Sequence, residues 1–365
     1  MRVFSLIVLL CLTEQAICLV PPPPGGLDRG FNLLGTASKI LPQGRIVKTA
    51  KESWKFIWKR MMAELAPQSK SGTYERPSYA SNGVIGSSQF PDEGGRYQLY
   101  LGNPCPWCHR ANLAVALKKL KSENIGVTIL VDDPVKASRG GWIFSRSDKD
   151  PLGSYDLREL YEKLSPGYKG RCTAPLLVDL KSKKMVSNES SDIVRMLNTA
   201  NLGKGNVECI DLYPKEQASE IDSTNEWVYK LLNNGVYRCG FSTQQSAYDM
   251  ASADVKRGLE KTNEILGTRD FLCGDSFTEA DLRLLPTVLR FDGAYSPLFR
   301  AGGVNRRIRD YPNLLAWLQR CWALEGVPGS IDLEDAVASY YKQLFPLNPG
   351  GLLPTPLTKE EIGLS

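Results

Sequence analysis

Residues 96–110 have the sequence RYQLYLGNPCPWCHR, and this stretch decides the fold. The part Arg96–Gly102 alternates and is rich in aromatic residues, which predicts a β-strand. From Trp107 to Leu120 the apolar residues recur with helical spacing among Ala, Leu and Lys, which predicts a helix. The sequence therefore places two cysteines, Cys105 and Cys108, where a strand ends and a helix begins.

A cysteine at a helix start has a chemical use. Pro106 suits the first helical position because its missing N–H would be unpaired there anyway. Cys105 then lies at the N-cap, where free N–H groups and the helix dipole stabilise an anion, and such sites lower a thiol pKa from ~8.5 to ~3.5–7.5. Cys108 lies one turn further on, within reach of a disulfide with Cys105. The plain alternative is two buried helix cysteines, and we expect His109 to have a surface or packing role.

The rest of this half has the order of elements of a thioredoxin-like domain. A second strand is predicted at Val127–Val131 and a short helix at Leu157–Leu164. Ala174–Asp179 and Met185–Ser187 predict a hairpin, and Ser190–Asn198 predicts the helix behind it. The predicted order is β-α-β-(α)-β-β-α.

The second half is expected to be all-α, because no convincing strand pattern follows Asp211. The predicted helices are Ile221–Leu232, Gln244–Leu266, Thr278–Leu289, Tyr311–Leu324 and Asp332–Lys342. Thr278-Glu279-Ala280-Asp281 has the pattern of a capping box, with Asp in place of the usual Glu, which indicates a stabilising helix start. The fold class is thus an α/β thioredoxin-like domain followed by an all-helical domain.

Composition agrees with a globular protein of two or three domains, since the chain has 365 residues, of which 42% are hydrophobic and 23% charged. The net charge of +5 is uneven, because the part between Val20 and Lys70 carries nine Lys or Arg against three acids. The body of the protein is electrically balanced, so the charge gives no reason to expect nucleic acid as a partner.

The first residues predict a targeting leader. Arg2 precedes the apolar run Val3–Leu12, which has the length of a signal-peptide core and is too short for a membrane helix. No later run predicts a transmembrane segment. Pro21–Pro24 and the basic stretch after it resemble a transit peptide. A signal followed by a transit segment predicts a plastid that lies inside the secretory system, and a plain ER or secreted protein is the alternative.

Cysteine usage favours a reducing compartment. The nine cysteines are an odd number and are scattered, apart from the pair at 105 and 108, so they do not predict a disulfide framework. The chain has one histidine, His109, so no metal site is expected. Five other cysteines are expected to be small core residues: Cys172, Cys209, Cys239, Cys273 and Cys321.

Several further segments occur in a recognisable order after the CPWC motif. They are GWIFS, LRELY, GRCTAPLLVD, SNESSDIVRMLN, DLYP, NNGVYRCGF, FTEADLRL, RFDGAY and RRIRDYPNL. With GRYQLYLGNPCPWCHR they resemble Xi-class glutathione transferases, the glutathionyl-hydroquinone reductases, which are related to the omega class. The resemblance extends from about Ser53 to Pro354. Many members of that family have Ala where this chain has Cys108.

The resemblance implies a role for each matching residue, with glutathione as co-substrate and no metal. The resemblance implies Cys105 as the nucleophile, whereas Cys108 is a candidate catalytic residue because of its place one turn from Cys105 and departs from the pattern of the family. The glutathione-binding residues that it implies are Trp107, Trp142, Arg158, Ala174, Pro175, Glu189 and Ser190. Among these, Glu189 and Ser190 receive the γ-glutamyl end, Ala174 offers its backbone, and Pro175 is cis. The implied hydroquinone pocket consists of Tyr237, Tyr295 and Arg290.

Together with the predicted leader, the resemblance leads us to expect six parts in the chain. They are a signal-peptide-like segment (1–20), a transit-like basic segment (21–52), an N-terminal arm (53–94), a thioredoxin-like glutathione-binding domain (95–205), an all-helical domain (211–345) and a C-terminal tail (346–365). Family members form dimers, so the resemblance implies a homodimer by analogy alone, and the sequence itself does not determine the oligomeric state.

The expected chemistry follows from the thiol, because a cysteine thiolate attacks sulfur and favours thiol exchange. We expect Cys105 to take glutathione from a glutathionyl-hydroquinone as a mixed disulfide, with Tyr237 or Tyr295 as general acid. Two alternatives remain at this stage. One is a dithiol, glutaredoxin-like oxidoreductase that uses Cys105 and Cys108, and the other is a non-catalytic protein that binds glutathione or an aromatic ligand.

Overall fold

A computed structural model of the chain describes residues 42–76, 83–138 and 140–364. The predicted signal segment 1–20 and the transit-like residues 21–41 lie outside these described residues. Residues 43–52, which were also assigned to the transit-like segment, form the start of helix α1 (Gln43–Leu65). The chain divides into two units, Met1–Trp58 and Lys59–Ser365, and all the elements described below lie in the second unit. Within the described ranges, no helix is both long and apolar enough to cross a membrane.

A five-stranded sheet with the order β3-β2-β1-β4-β5 forms the centre of the first domain. Its strands are β1 (Tyr97–Gly102), β2 (Gly126–Asp132), β3 (Trp142–Ile143), β4 (Leu176–Asp179) and β5 (Lys184–Ser187). Strand β1 pairs parallel with β2 and antiparallel with β4. All six residues of β1 are buried, so both faces of the sheet centre are covered. The thioredoxin-like order is confirmed, and β3 is an addition that the sequence did not predict.

The helices of this domain begin at recognisable caps. They are α2 (Pro106–Leu117), α3 (Leu157–Leu164) and α4 (Ser190–Thr199). Asp156 caps α3 by accepting from the backbone N–H of Glu159, and Glu189 caps α4 by accepting from that of Ser191. Helices α2 and α4 pack against each other. This packing brings the start of α2 and the start of α4 to the same side of the domain, which is the side of the candidate site.

The second domain is helical, as predicted. Its helices are α5 (Ala218–Val228), α6 (Gly235–Gly240), α7 (Gln245–Ile265), α8 (Glu279–Arg290), α9 (Pro312–Trp322) and α10 (Leu333–Gln343). Two π-helical segments, Tyr229–Asn233 and Phe291–Tyr295, continue α5 and α8. The structure differs from the prediction here, because α6 was not predicted and the predicted helix Ile221–Leu232 changes to π geometry at Tyr229.

The capping box at the start of α8 is confirmed and reaches into the core. Asp281 accepts from the N–H of Thr278 at 3.0 Å and from Trp317 Nε1 at 2.8 Å. Its other backbone donor is the N–H of Leu272. Burial raises the pKa of Asp281, while these donors oppose the shift. Because Asp281 and Trp317 are completely buried, this network contributes to stability and not to the chemistry of the site.

Candidate active site

Cys105 lies at the N-cap of α2, as the sequence predicts. Its sulfur accepts from the backbone N–H of Cys108 at 3.4 Å, and Pro106 is the first residue of the helix. The sulfur also lies 3.6 Å from the carbonyl oxygen of Ala174, whose peptide bond to Pro175 is cis. The structure thus brings the predicted nucleophile against the predicted backbone site for the cysteinyl part of glutathione.

The two cysteines of the motif differ in acidity. Burial raises the pKa of the Cys105 thiol, but hydrogen bonds from Cys108 and Trp107 and the charge of Arg290 outweigh it, so the pKa is lowered. Burial and the negative charge on Cys105 raise the pKa of Cys108 well above its ordinary value. Cys105 is therefore the more acidic thiol of the pair, and the raised pKa of Cys108 keeps it protonated at neutral pH.

Arg290 lies beneath the active-site turn, and not in the hydroquinone pocket to which the resemblance assigned it. Its guanidinium donates to the carbonyl oxygens of Asn103 at 2.9 Å and Pro104 at 3.1 Å. It also lies 3.1 Å from Nδ1 of His109. Arg290 is completely buried and stabilises the turn, because its planar guanidinium can donate to several carbonyl oxygens at once. His109 is buried and has a packing role, so the surface alternative was wrong.

A cavity of about 210 Å³ opens beside Cys105. Its walls come from both domains, and its aromatic lining suits a flat ring. The lining residues include Trp107, Trp142, Tyr237, Phe241 and Tyr340. The structure therefore places Cys105 and the predicted pocket tyrosine Tyr237 at one cavity.

Three tyrosine hydroxyls meet beside this cavity, and two of them belong to the lining residues Tyr237 and Tyr340. Tyr340 lies 2.8 Å from both Tyr237 and Tyr295, measured between hydroxyl oxygens, and Tyr237 lies 3.4 Å from Tyr295. Burial raises the pKa of each hydroxyl, so all three are protonated at neutral pH. The sequence analysis found Tyr237 and Tyr295 but missed Tyr340, which lies in the amphipathic pattern of α10 and resembles a core residue there.

Asp132 is a second residue that the sequence did not single out. It ends β2 and lines the cavity, where its Oδ2 accepts from Ser339 Oγ at 2.7 Å. Burial raises the pKa of Asp132 to about 6. Trp142 lies beside it on β3, so the GWIF segment reaches the site through an edge strand of two residues.

The γ-glutamyl residues of the predicted site lie at the start of α4. Oε1 of Glu189 accepts from Ser190 Oγ at 3.2 Å, from the N–H of Ser191 at 3.0 Å and from Ser191 Oγ at 2.9 Å. Burial opposes ionisation of Glu189, but the charge of Arg76 and the donors of Ser191 lower its pKa. Glu189 is therefore a fixed carboxylate, which suits a ligand ammonium group.

Trp107 lies against two guanidinium groups. The Cζ atom of Arg76 is 3.7 Å from the centre of the indole ring, and that of Arg110 is 4.4 Å away. Such contacts hold an aromatic ring in one orientation. Neither arginine was singled out from the sequence.

Arg158 is the predicted site residue with the least support. It pairs with Glu162 one turn later on α3, at 2.9 Å. Its neighbour Tyr161 has the clearer positioning role, because the Tyr161 hydroxyl donates to the carbonyl of Thr173 at 2.8 Å and lies 3.2 Å from Asn188 Nδ2. These bonds fix the residues just before Ala174 and Glu189.

In the described part of the chain no cluster of three or more His, Cys, Asp or Glu could hold a metal.

Comparisons with known proteins agree with this geometry. The profile described as "Glutathione S-transferase, N-terminal domain" matches residues 104–200, and "Glutathione S-transferase, C-terminal domain" matches residues 245–320. The glutathionyl-hydroquinone reductase PcpF of Sphingobium chlorophenolicum is 40% identical over 293 residues, which cover 79% of this chain and 90% of that protein. The glutathionyl-hydroquinone reductase YqjG of Escherichia coli is 37% identical, over 74% of this chain and 82% of that protein.

Solved structures point the same way. The crystal structure of the glutathione transferase Xi of Phanerochaete chrysosporium has a TM-score of 0.72 and 35% identity, and the match covers 78% of this chain and 97% of that one. The glutathione-bound structure of YqjG has a TM-score of 0.69 and 35% identity, over 79% of this chain and 95% of that one. The fold and the cap cysteine define the chain as a glutathione transferase. Within that class it belongs to the Xi-class family of glutathionyl-hydroquinone reductases.

Proposed function

We propose that the protein is a glutathione-dependent reductase that removes glutathione from glutathionyl-hydroquinones. The observation that carries the proposal is that Cys105, whose pKa is lowered, lines an aromatic cavity together with Tyr237 and Tyr340. A conjugating transferase uses a hydroxyl to stabilise the thiolate of glutathione. A protein thiolate at that place attacks sulfur instead.

In the first step, the Cys105 thiolate attacks the glutathione sulfur of the conjugate. A bond forms between the two sulfurs, and the bond between sulfur and the ring carbon breaks. The electron pair of that bond stays on the ring carbon, which takes up a proton and leaves as free hydroquinone. The glutathione is left on Cys105 as a mixed disulfide.

A tyrosine hydroxyl supplies the proton for the ring carbon. Tyr237 and Tyr340 line the cavity together with Cys105, whereas Tyr295 lies behind them. The raised pKa values keep each hydroxyl protonated before the reaction, and the hydroxyl contacts let a neighbour return a proton afterwards. We assign Tyr237 or Tyr340 as the donor and Tyr295 as its support.

In the second step, a free glutathione thiolate attacks the sulfur of glutathione in the mixed disulfide. Oxidised glutathione leaves, and Cys105 returns as a thiolate. The sum of both steps consumes one conjugate and one glutathione and yields hydroquinone and oxidised glutathione. The raised pKa and the burial of Cys108 make it a poor attacking thiol, which supports glutathione as the resolving thiol over the dithiol alternative.

The test replaces the nucleophile. We expect Cys105→Ser to lower glutathione-dependent release of menadiol from glutathionyl-menadiol by ~10²-fold or more, because a neutral hydroxyl does not replace a thiolate as the nucleophile toward sulfur. Glutathione binding, measured by calorimetry, should remain. Cys209→Ser is the matched control, since Cys209 contacts Lys204 away from the cavity. Near-normal release by Cys105→Ser, or wild-type activity only in conjugation of a chlorinated aromatic, would contradict the proposal.

A further inference from the structure

Asp132 is a charged residue in the wall of the aromatic cavity, and helix α10 holds it in place. Gln343 Nε2 donates to its backbone carbonyl at 2.8 Å, and Ser339 Oγ donates to its Oδ2 at 2.7 Å. Asp132 also pairs with Trp142 in the ladder between β2 and β3. These contacts fix both the backbone and the carboxylate, so the protein sets the position of this charge before a ligand is bound.

The carboxylate of Asp132 has acceptor positions that the protein does not fill. A carboxylate offers about four such positions, and Ser339 Oγ is the only hydrogen-bond donor to them in the described part of the chain. The charges that act on this carboxyl group, those of Asp335 and Asp133, are negative, and Lys136 pairs with Asp133 instead. A partly buried carboxylate without a cation is stabilised by a further donor. This part of the wall is therefore suited to a ligand that donates a hydrogen bond.

Phe241 belongs to the same cavity, and the N-terminal arm holds it. Gln68 Nε2 donates to the carbonyl of Phe241 at 2.9 Å, and the ring of Tyr74 packs edge-on against that of Phe241, with the ring centres 5.6 Å apart. The N–H of Thr243 donates to the carbonyl of Gly72 at 3.1 Å, so the arm is attached to the loop after α6. The cavity is thus formed in advance, and in such a cavity a few fixed polar groups determine specificity.

The lining of the cavity indicates a flat ring that carries a hydroxyl group. Most of the lining side chains are apolar or aromatic, and Asp132 supplies the one carboxylate among the described residues that line it. An ionised carboxylate accepts hydrogen bonds and cannot donate one, whereas a phenolic hydroxyl is a donor. The two hydroxyls of a 1,4-hydroquinone point in opposite directions, so one of them can meet Asp132 while the sulfur of the conjugate is at Cys105.

We propose that Asp132 accepts a hydrogen bond from a hydroxyl group of the hydroquinone ring and makes the enzyme selective for rings with a free hydroxyl. The inference rests on the proposed function for its substrate, and it adds a residue that selects the leaving group. A methyl ether in the same place leaves the acceptor unpaired, and a ring carboxylate there meets a like charge. Both kinds of ring should therefore be bound less tightly than the free phenol.

The binding of two unreactive rings tests this inference without turnover. In equilibrium dialysis of the full chain at slightly alkaline pH, where Asp132 is ionised, the wild type should bind 1-naphthol about tenfold more tightly than 1-methoxynaphthalene. A preference of about tenfold or more is the usual effect of a hydrogen bond to a charged group. Asp132→Leu keeps a similar shape without an acceptor, so it should bind the two rings equally, with an unreduced affinity for 1-methoxynaphthalene.

Three further variants separate the acceptor from its surroundings. Asp132→Asn keeps a neutral acceptor and should recover part of the preference for 1-naphthol. Ser339→Ala removes the donor that fixes the carboxylate, and it should reduce the preference less than Asp132→Leu does. Asp133→Asn is the matched control, because it removes the same charge from the next residue, whose carboxylate pairs with Lys136. Its preference should equal that of the wild type.

The outcomes separate a contact with the ring from a structural role. A wild type without the preference, or an Asp132→Leu protein that keeps it, would overturn the inference. An equal loss of affinity for both rings in Asp132→Leu would also overturn it, because Asp132 would then only support the wall. Release of menadiol from glutathionyl-menadiol is measured on the same proteins, and kcat/KM should fall about tenfold in Asp132→Leu. A wild type that releases no menadiol overturns the proposed function, whereas normal release with any of the contrary binding results overturns only the role of Asp132.

Discussion

Cys105 and Cys108 show how neighbouring residues of one type acquire different chemistry. Cys105 is half-buried at the cavity and Cys108 is buried, and burial by itself raises the pKa of both. Cys105 receives hydrogen bonds from the side chain and backbone of Cys108, and its pKa falls, while that of Cys108 rises well above normal. The Cys108 thiol is thus a hydrogen-bond donor to the thiolate.

Removal of that donor should therefore raise the pKa of Cys105. For Cys108→Ala we expect the rising limb of the pH profile for menadiol release to move to higher pH by about one unit, the effect of about one modest hydrogen bond. The sign follows because the thiolate is the active form and a higher pKa leaves less of it at a given pH. Well above the new pKa, release should be close to that of the wild type.

The matched variant is Cys108→Ser, which keeps a donor of nearly the same size. Its profile should stay near that of the wild type, and alkylation of Cys105 by iodoacetamide should follow the same pH dependence as release. Identical profiles for the Ala and Ser variants would show that Cys108 does not tune Cys105.

At the level of elements, the sequence predicted the helices and strands that are determined by the residues within them and beside them in the chain. Helix α3 matches its predicted bounds, Leu157–Leu164, because its cap and periodicity are both in the sequence. Helix α6 was missed because glycines at both ends lower its helix propensity. Gly240 is needed there, since a Cβ would lie 2.5 Å from the ring of Phe299. That requirement depends on a distant side chain and cannot be inferred from nearby residues.

The residues of the candidate site also fall into two groups, those that nearby sequence determines and those that distant contacts determine. Cys105 follows from its place between a strand and a helix, which nearby residues determine. Tyr340 and Arg290 act through contacts with residues far away in the sequence, namely Tyr237 and the turn at Asn103. The resemblance assigned Arg290 to the hydroquinone pocket, whereas in the structure its buried guanidinium contacts the turn at Asn103 and Pro104, and the resemblance supplied no role for Tyr340.

Helix α8 stabilises the active-site turn through Arg290, and this gives an element-scale prediction. Arg290→Lys should lower the free energy of unfolding by ~3–5 kcal/mol, because a single ammonium cannot replace a buried guanidinium with several acceptors. Because its charge is retained but displaced, the pKa of Cys105 should rise as well. Urea denaturation and the pH dependence of alkylation are the two measurements.

The control for Arg290 is Arg257→Gln, which breaks an exposed ion pair with Asp254. Such surface pairs contribute ~0–1 kcal/mol, so the unfolding curve should hardly move. An Arg290→Lys protein as stable as this control would show that the turn does not depend on α8.

In the whole molecule, residues from three parts of the chain form the site. The thioredoxin-like domain contributes Cys105 and Glu189, the helical domain contributes Tyr237 and Tyr340, and the arm contributes Arg76. The two domain profiles match residues 104–200 and 245–320, so both the arm and α10 lie outside them. Features that distinguish this family from other glutathione transferases are expected in those two parts.

The predicted leader, which precedes the described residues, leads to a prediction about where the protein is located in the cell. A fluorescent protein fused to Met1–Lys70 should enter the secretory pathway and then a plastid, because a signal-like segment precedes a transit-like one. Microscopy in an alga with a plastid inside the secretory system is the measurement. Deletion of Val3–Leu12 should leave the fusion in the cytosol, and accumulation of the intact fusion in the medium would contradict the plastid assignment.

The attachment of the arm to the loop after α6 also limits how the precursor can be trimmed. Met62 and Ala66 are buried, and Gln68 follows with its bond to Phe241. A processing peptidase that cut beyond these residues would release the strand of chain that bears Tyr74 and Arg76. We therefore predict that any cleavage site of the predicted leader precedes Met62, because a cut further on would remove residues that contact the candidate site.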